Sequence, residues 1–236
     1  MDKLYIVIPA YNEEANIRQV IDDWYPIVEK YSGNGESRLV IIDDGSKDST
    51  YQLVQDYAAS RPLLTPITKK NGGHGPAILT GYQYAIEQGA DYIFQTDSDG
   101  QTLPEEFHAF WKRRKTYDMV IGLRKGRQDG ASRIFVTKTL KLVIRLCFGV
   151  TVADANTPYR LINAAALQKY IGLIPSDFFL SNVLMSVIFV KKNCRVKYLP
   201  ITFRPRQGGV NSINLKKIWK VGVQALKDFR KLNKTL

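Results

Sequence analysis

Three apolar runs, each followed closely by polar residues and a turn, constrain the fold of this chain most strongly. They cover residues 4–8, 39–42 and 92–94. Continuous apolar runs of this length are typical of strands covered on both faces. Strands that alternate with helices build parallel sheets, and open sheets of this kind bind ligands at the carboxyl ends of their strands. We therefore expect an α/β domain with a mostly parallel central sheet, flanking helices and one crevice at that edge.

The length of 236 residues suits one such domain with an ample core. No repeat or linker divides it, so we assign residues 1–212 to a catalytic-type domain and residues 213–236 to a C-terminal helix of the same domain. The first strand begins almost at once, which leaves no room for a signal peptide. Cys147 and Cys194 are too few for a disulfide framework. Together these features predict a cytoplasmic protein with reduced thiols.

Asp97 and Asp99 follow the third apolar run and are one residue apart. Hard cations such as Mg²⁺ and Mn²⁺ take oxygen ligands and are often shared between a protein carboxylate and substrate phosphates. The pair therefore suggests a nucleotide-diphosphate site. A solvated turn between strand and helix explains the same two residues, so the motif gains its meaning from its neighbours.

Similar signals follow the other strands. Residues 9–14 break the first run, and residues 43–50 combine two adjacent aspartates, a glycine and a helix-start signal. Residues 71–77 hold three glycines before a helical pattern. Such a loop lets backbone approach an anion at a helix N-terminus, although a tight turn accounts for it equally well. Asp48 fits turn or helix-cap chemistry better than a binding role.

These motifs, in this order, resemble the inverting family 2 glycosyltransferases with the GT-A fold. Within that family, Asp99-Gly100-Gln101 followed by Pro104 and Glu105 resembles the dolichyl- and polyprenyl-phosphate sugar synthases. The resemblance implies one Rossmann-like GT-A domain that uses a UDP- or GDP-sugar and Mg²⁺ or Mn²⁺. Later parts fit more loosely: Gly122-Leu123-Arg124, Asp154 with Pro158-Tyr159-Arg160, and Phe203 with Arg206, Gly209 and Ser212.

The resemblance places several residues at the nucleotide-sugar donor. Asp44 would contact the base edge with Asp43 supporting it, and Asp97 would bind the ribose, or the metal through water. The other donor-site candidates are Pro9, Tyr11, Glu13, Lys70 and Gly75. His74, one of two histidines, fits a turn better than a catalytic role.

Asp99 is the main candidate metal ligand, with Gln101 as a second oxygen ligand and Asp97 beside them. A divalent metal acts as a Lewis acid that neutralises charge on the departing diphosphate. A nucleoside diphosphate is a poor leaving group without that help. Catalysis would therefore depend on Asp99 more than on any other residue.

The acceptor end leaves two hypotheses open. A sugar hydroxyl needs a general base, but Ser181 and Asn182 stand where many family members carry an acidic pair, and Asp177 is the nearby carboxylate. A lipid phosphate is already anionic and needs cations rather than a base. Arginine binds phosphate in a bidentate way. The candidates are Arg124 and Arg206, by resemblance to the polyprenyl-phosphate enzymes, and also Arg133 and Arg204.

Charge is concentrated at the C-terminus. Residues 191–236 hold thirteen of the 34 Lys and Arg and one of the 22 Asp and Glu, so the net charge of +12 lies entirely there. From residue 213 the apolar residues follow a helical period. A basic amphipathic helix of this kind lies on anionic membrane surfaces, or it packs on its own domain. Nucleic-acid binding is disfavoured because no nucleic-acid motif is present.

Two further apolar stretches bear on membrane contact. Residues 138–150 predict an amphipathic helix with Lys138, Lys141 and Arg145 on one side. Residues 178–190 are almost entirely apolar, but a spanning helix needs about 20 residues. We expect a buried helix there and no transmembrane segment.

Three functional hypotheses remain. The first is metal-dependent, inverting transfer of a sugar to a polyprenyl phosphate at the cytoplasmic membrane face. The second keeps the chemistry but uses a saccharide or lipid-linked saccharide hydroxyl, with Asp177 as base. The third is a non-catalytic nucleotide-sugar-binding protein. A dinucleotide oxidoreductase is disfavoured because no Gly-x-Gly-x-x-Gly follows the first strand. The pattern does not specify the nucleotide base, the sugar or the oligomeric state.

Overall fold

The computed structural model describes residues 2–32, 35–124, 131–204, 228–230 and 232–233, with 131–136 and 138 described by their backbone alone. The strands are β1 (Leu4–Ala10), β2 (Arg38–Asp43), β3 (Leu64–Thr68), β4 (Tyr92–Gln95), β5 (Met119–Arg124), β6 (Arg160–Asn163) and β7 (Val196–Ile201). The helices are α1 (Ile17–Lys30), α2 (Thr50–Ala58), α3 (His74–Glu87), α4 (Phe107–Trp111), α5 (Ala131–Phe148), α6 (Ala164–Tyr170) and α7 (Ser181–Lys191). Short 3-10 turns cover Pro104–Glu106 and Ile171–Leu173.

These strands form one sheet in the order β3-β2-β1-β4-β6-β5-β7. The pairs among β3, β2, β1 and β4 are parallel, and so is the pair of β5 with β7. Strand β6 is antiparallel to both of its neighbours. The predicted α/β class with a mostly parallel sheet is therefore confirmed.

Alternation along the strands divides the core into two layers. On β1, Tyr5 and Val7 belong to one layer, while Leu4, Ile6 and Ile8 belong to the other. All seven residues of β1 are buried, as the uninterrupted apolar run predicted. Helix α3 packs tightly on this strand, because a Cβ atom at Gly81 would lie 2.2 Å from Val7 Cγ1.

The topology places the crevice at a defined edge. The chain runs from β1 outward to β2 and β3, then returns to add β4 on the other side of β1. The parallel register pairs Ala10 with Asp43, so the residues that follow β1 and β2 leave the sheet side by side. Open α/β sheets bind ligands at such a switch point, outside the carboxyl ends of the strands.

Helix α7 is the buried helix that the sequence predicted within residues 178–190. Its residues 181–189 are all buried. Across the described ranges, no helix is both long enough and apolar enough to cross a bilayer. The helix predicted over residues 138–150 is α5, which begins seven residues earlier and ends at Phe148.

The end of the basic C-terminal segment packs on the domain. Residues 228–230 and 232–233 are helical, whereas residues 205–227 lie outside the described part of the chain. Phe229 is fully buried, with its ring centroid 5.2 Å from that of Phe148 and 6.1 Å from that of Phe178. Lys191 Nζ also donates a hydrogen bond to Asn233 Oδ1. Phe229, close to the C-terminus, is therefore anchored in the core.

Candidate functional site

A crevice of about 380 Å³ opens at the carboxyl edge of β1, β2 and β4. Small-molecule sites typically have volumes of about 300–1,000 Å³. The walls come from four loops that the sequence had singled out separately. The polar or aromatic side chains among the lining residues are Tyr11, Glu13, Asp44, Asn71, His74, Asp97, Ser98 and Asp99.

Asp44 fastens the glycine-rich loop to the end of β2. Its carboxylate is 3% exposed. Oδ1 accepts hydrogen bonds from Lys69 Nζ at 2.7 Å and from the amide of Gly72 at 2.9 Å, and Oδ2 accepts one from the amide of Gly73 at 2.7 Å. From the sequence, the backbone of this loop was expected to approach the anionic donor. In the structure Asp44 uses two of its amides, so the loop is held in place before any ligand arrives.

Asp43 also stabilises the turn that follows β2. Its Oδ2 accepts a hydrogen bond from Thr68 Oγ1 at 2.7 Å, and its Oδ1 accepts one from the amide of Ser46 at 3.2 Å. Gly45 is required here, because its φ is +69° and a Cβ atom would lie 2.9 Å from the backbone nitrogen of Asn71. The turn and the glycine loop therefore pack backbone to backbone.

The loop after β1 supplies an aromatic and an acidic side chain. Tyr11 is 43% exposed in the crevice, and Pro9 lies in the last part of β1 opposite Ile42. Glu13 is 7% exposed and its Oε2 accepts a hydrogen bond from Asn16 Nδ2 at 2.7 Å. The exposed ring suits stacking on a planar base.

Asp48 caps the start of α2, as the sequence predicted. Its Oδ1 accepts a hydrogen bond from the amide of Thr50 at 3.0 Å, and its Oδ2 accepts one from the amide of Glu14 at 3.2 Å. Thr50 Oγ1 in turn accepts a hydrogen bond from the amide of Glu13 at 2.8 Å. The cap thus positions the loop that carries Tyr11 and Glu13.

His74 is the first residue of α3, and its Nε2 lies 2.9 Å from Asp97 Oδ1. The sequence favoured a turn role for this histidine, but the structure brings it to the strand-end carboxylates. Desolvation lowers the pKa of His74, while the charge of Asp97, the hydrogen bond to it and the charge of Asp99 outweigh that effect and raise the pKa above its ordinary value. The side chain remains about half exposed.

These side chains provide a suitable donor set for a divalent cation. Asp97 and Asp99 present carboxylate oxygens at the crevice wall, and His74 forms a hydrogen bond with Asp97. Mg²⁺ and Mn²⁺ take such ligands and complete their shell with waters and substrate phosphates. Within the described residues, no group of three or more His, Cys, Asp or Glu is placed to hold a metal ion by itself. The residues fit a cation that shares its ligands with a diphosphate.

Gln101, proposed as a second oxygen ligand of the metal, uses its amide nitrogen to bind the segment after β7. Its Nε2 donates a hydrogen bond to the carbonyl of Arg204 at 2.8 Å, and the amide of Arg204 donates one to the carbonyl of Gln101, also at 2.8 Å. The amide of Gln101 binds Asp99 Oδ1 at 3.2 Å. Gln101 therefore ties the segment after β7 to the Asp99 loop and does not line the crevice.

Lys70 and Gly75 also lie differently from the donor contacts proposed for them. Lys70 is exposed and outside the crevice lining, whereas its neighbour Lys69 reaches Asp44. A Cβ atom at Gly75 would lie 2.2 Å from the carbonyl oxygen of Phe178. Gly75 therefore allows the loop before α7 to approach the start of α3.

Arg124, a candidate for the acceptor phosphate, forms a bidentate pair with Asp154. Nε lies 2.9 Å from Oδ2 and Nη2 lies 2.7 Å from Oδ1, and both side chains are 8% exposed. The guanidinium also lies 5.2 Å from the ring centre of Phe203. Arg204 is exposed. Arg206 and the side chain of Arg133 lie outside the described residues.

Arg160 forms a buried polar cluster that the sequence did not single out as functional. It is 0% exposed and faces the same side of the sheet as α7. Its guanidinium donates to the carbonyls of Ala155, Thr157 and Asn182 and to Ser186 Oγ. Among the described residues no carboxylate contacts it directly, and burial lowers its pKa.

Several polar atoms around this arginine lack partners within the described part of the chain. They are Gln95 Nε2, Thr157 Oγ1 and both amide atoms of Asn182. Each unpaired buried polar group costs about 1–3 kcal/mol, and such groups in native proteins are usually satisfied by bound water or ligand. Asn182 is the position at which many family members carry the acidic pair, and its amide cannot act as a base. Asp177 lies exposed in the loop before α7 and outside the crevice lining.

Of the two residues that were not predicted from the sequence, Lys69 and Arg160, only Lys69 has a partial signal in it. Lys69 follows Thr68, which pairs with Asp43, so continuing the parallel register places Lys69 beside Asp44. The side chain of Arg160 shows no such pattern, because only the packing of α7 against β6 supplies its carbonyl partners.

Comparison with known proteins agrees with this geometry. The model of glycosyl transferase family 2 matches residues 5–172. The undecaprenyl-phosphate mannosyltransferase of Micrococcus luteus is 26% identical over 219 residues, which cover 90% of this chain and 88% of that protein. The undecaprenyl-phosphate 4-deoxy-4-formamido-L-arabinose transferase of Pectobacterium atrosepticum is 32% identical over 153 residues, which cover 63% of this chain and 45% of that protein. This chain therefore matches less than half the length of that relative.

Solved structures share the fold. Glucosyl-3-phosphoglycerate synthase from Mycobacterium tuberculosis, in complex with Mn²⁺ and uridine-diphosphate-glucose, superposes with a TM-score of 0.68 at 17% identity and covers 99% of this chain and 79% of that one. The GT-A fold predicted from the motifs is confirmed. Since the family model spans well over half of its residues, the chain belongs to glycosyl transferase family 2.

Proposed function

We propose that this protein is an inverting glycosyltransferase that moves a sugar from a UDP- or GDP-sugar to a polyprenyl phosphate. The observation that carries the proposal is the convergence of Tyr11, Asp44, Asp97 and Asp99 on one crevice at the switch point of the sheet. Similarity over nearly the whole chain to a protein named undecaprenyl-phosphate mannosyltransferase supports the choice of acceptor.

In this proposal the donor lies along the wall that Asp44 holds in place. Tyr11 stacks near the base, while Asp44 and Glu13 meet the polar edges of base and ribose. Lys69 stands beside Asp44 with its ammonium 2.7 Å from Oδ1, and it adds positive charge near the nucleotide. A rigid wall of this kind lowers the entropy lost when the donor is ordered.

Asp97 and Asp99 would hold the divalent cation, with His74 oriented by Asp97. When bound, the cation supplies the charge that stabilises the departing diphosphate. The Mn²⁺ in the solved relative supports the use of a divalent metal. Asp99 is central because the loop fixes its Oδ1 through the amide of Gln101.

The acceptor phosphate attacks the anomeric carbon from the side opposite the diphosphate and needs no general base, because it is already anionic. This is consistent with an amide at Asn182 and with the position of Asp177 outside the crevice lining. Arg206 is the proposed phosphate ligand. Arg124 contributes through its pair with Asp154, which fixes the end of β5 at the same sheet edge.

The acceptor implies work at a membrane surface. We place the protein at the cytoplasmic face of the membrane as a peripheral protein, with the basic residues of 191–236 toward anionic lipid.

A panel of UDP- and GDP-sugars with Mn²⁺, with and without a short-chain polyprenyl phosphate, tests the proposal. Product that forms only with the lipid phosphate is the expected result. Donor turnover onto a saccharide hydroxyl would move the acceptor and bring Asp177 forward as base. Absence of donor binding under all conditions would contradict the enzyme assignment.

A further inference from the structure

The outer face of α5 exposes two large apolar side chains. Leu142 is 57% exposed and Leu146 is 75% exposed. Only two other large apolar side chains in the described part of the chain are exposed, namely Tyr11 in the crevice and Phe179. The two leucines are four residues apart, so they lie one above the other on the same helix face.

The opposite face of α5 packs in the hydrophobic core. Ile144 and Phe148 are buried in the core layer that also holds α3 and α7. Leu140 and Val143 pack at its margin. Helical periodicity places the two exposed leucines about half a turn away from Ile144. The core therefore does not require leucine at these two positions.

The charge around the leucines has one sign. Lys141 and Arg145 are exposed and flank the leucines along the helix. Residues 131–148 contain no Asp or Glu and four Lys or Arg. An apolar stripe bordered by cations has the chemistry of an interface between water and anionic lipid, where leucine enters the acyl boundary and the cations meet headgroups.

Topology places this face near the crevice. The strand before α5 ends at Arg124, and the strand after it begins at Arg160, which pairs with Gln95 at the carboxyl end of β4. Both connections therefore leave from the crevice edge of the sheet. Phe148, the last residue of α5, contacts Phe229, which in turn contacts Phe178 in the loop that packs on Gly75.

The buried Phe229 also places a basic residue, Arg230, near the end of α5. Arg230 is exposed, and Lys191 at the end of α7 binds Asn233. Residues 228–230, near the end of the segment that carries most of the excess positive charge, thus lie beside the end of α5.

We infer that the α5 face formed by Lys141, Leu142, Arg145 and Leu146 docks on the surface of an anionic lipid bilayer and sets the crevice next to the membrane. The identity of this surface as the one that serves a lipid acceptor rests on the proposed function. The docking itself depends only on apolar and cationic side chains and is measured without any reaction.

Sedimentation with vesicles tests the inference. The full chain is mixed with vesicles of phosphatidylcholine alone or of phosphatidylcholine with phosphatidylglycerol, at low and high salt. The variants are Leu142→Ser with Leu146→Ser, and Lys141→Glu with Arg145→Glu. The matched control is Lys112→Glu with Lys115→Glu, a reversal of two exposed cations on the other side of the sheet. Thermal unfolding and light scattering are recorded for each protein.

We expect the leucine pair to weaken partitioning by at least about tenfold and the charge reversal to weaken it by about thirtyfold with loss of its salt dependence. The control should bind as the unchanged protein does. Equal binding of all variants overturns the inference. So does a leucine variant that changes the molar mass, because a second copy would then cover the face, or one that unfolds at a clearly lower temperature, because the leucines would then belong to the core.

Transfer to a short-chain acceptor in detergent separates the two proposals. If the leucine variant loses vesicle binding but keeps this transfer, both are supported. If vesicle binding follows the expected pattern and no sugar is transferred by any variant, the docking surface stands and the proposed function fails.

Discussion

The two halves of the sheet differ in how completely their polar groups are hydrogen-bonded. On the side of β2 and β3, Asp44 and Asp43 receive hydrogen bonds from the loops that they support. On the side of β6 and α7, Arg160 is buried against carbonyls, and Asn182 and Gln95 keep polar atoms without partners in the described chain. The first half is organised before a ligand binds, whereas the second leaves polar groups that solvent or substrate has to satisfy.

This difference matches the demands of the two substrates in the proposed reaction. A nucleotide donor is rigid and highly polar, so a preformed wall binds it with little reorganisation. The acceptor side combines the buried Arg124–Asp154 pair with the lipid-facing α5 surface. Changes on the first half should therefore affect donor binding and catalysis, and changes on the second half should separate stability from acceptor use.

The largest expected effect comes from Asp99→Ala. Loss of this carboxylate removes the proposed metal ligand, and we expect transfer to fall by about a thousandfold or more. The fold should persist because Asp99 lies at the crevice wall and not in the core. Initial rates with saturating Mn²⁺ and thermal unfolding measure the two effects. Asp56→Ala, an exposed change on α2, is the control, and full activity of Asp99→Ala would refute the metal assignment.

Arg124→Met should be the most damaging change to the stability of the second half. It breaks the buried bidentate ion pair with Asp154, and removing one member of such a pair costs about 3 kcal/mol or more. Unfolding in urea gives the free energy. Arg124→Met combined with Asp154→Leu should recover part of that loss, since apolar side chains then replace both members of the buried pair. If the double variant regains stability but not transfer, Arg124 also acts on the acceptor.

Arg206→Ala and Asp177→Asn divide the two acceptor hypotheses. If the acceptor is a phosphate, the arginine change should lower transfer by about a hundredfold through a lost charge-assisted pair, and the aspartate change should alter it by less than about twofold. Steady-state rates against acceptor concentration measure both. The reverse order of effects would favour a hydroxyl acceptor with Asp177 as base.

Asp44→Asn should weaken the preformed wall of the first half. An amide presents one acceptor oxygen, so it cannot replace the carboxylate at both Gly73 and the pair formed by Lys69 and Gly72. We expect a stability loss of about 2 kcal/mol and a KM for the donor that rises about tenfold. Lys69→Met keeps both glycine contacts and should show a smaller rise. Equal donor affinity in both variants would show that the wall is not preorganised by Asp44.

The smallest effect is expected at the other end of β5, where Asp118 pairs with the exposed Arg195. The hydrogen bond from Arg195 is the largest influence and, with its charge, lowers the pKa of Asp118. Because the folded-state pKa is depressed, this stabilisation is present above the ordinary aspartate pKa and is lost as the pH falls below about 4. Asp118→Asn should therefore cost only about 0.5 kcal/mol at neutral pH and nothing at acidic pH, as pH-dependent unfolding would show.

Much of the first half was predictable because short stretches of sequence specify its strands and turns. Apolar runs fixed β1, β2 and β4, and the residues after them had to meet at one edge once the strands were parallel. Asp44, Asp97 and Asp99 therefore fell into one crevice without knowledge of any long-range contact. Asp48 was expected at a turn or helix cap because Asp is common there, and it accepts a hydrogen bond from the amide of Thr50 at the start of α2.

The second half was less predictable because its contacts join distant parts of the chain. The hydrogen bond from Gln101 Nε2 to the backbone of Arg204 was not predicted. Two long-range contacts at the crevice were missed as well, and one of them is the contact of Lys69 with Asp44. The place of His74 beside Asp97 depends on how α3 packs against β1. The spacing of residues along the chain does not encode the contacts of Gln101 and His74.

By itself the sequence determined which polar residues follow each strand, that the sheet is mostly parallel and that its crevice is acidic. These features were predictable because hydrophobic periodicity and turn residues act over a few positions. Only the tertiary structure decided which protein contacts the site residues make. Burial and hydrogen bonding between distant segments committed Asp44 to the glycine loop and Arg124 to Asp154. The same packing left Leu142 and Leu146 outside, since α5 buries only the face that carries Ile144 and Phe148 in the core.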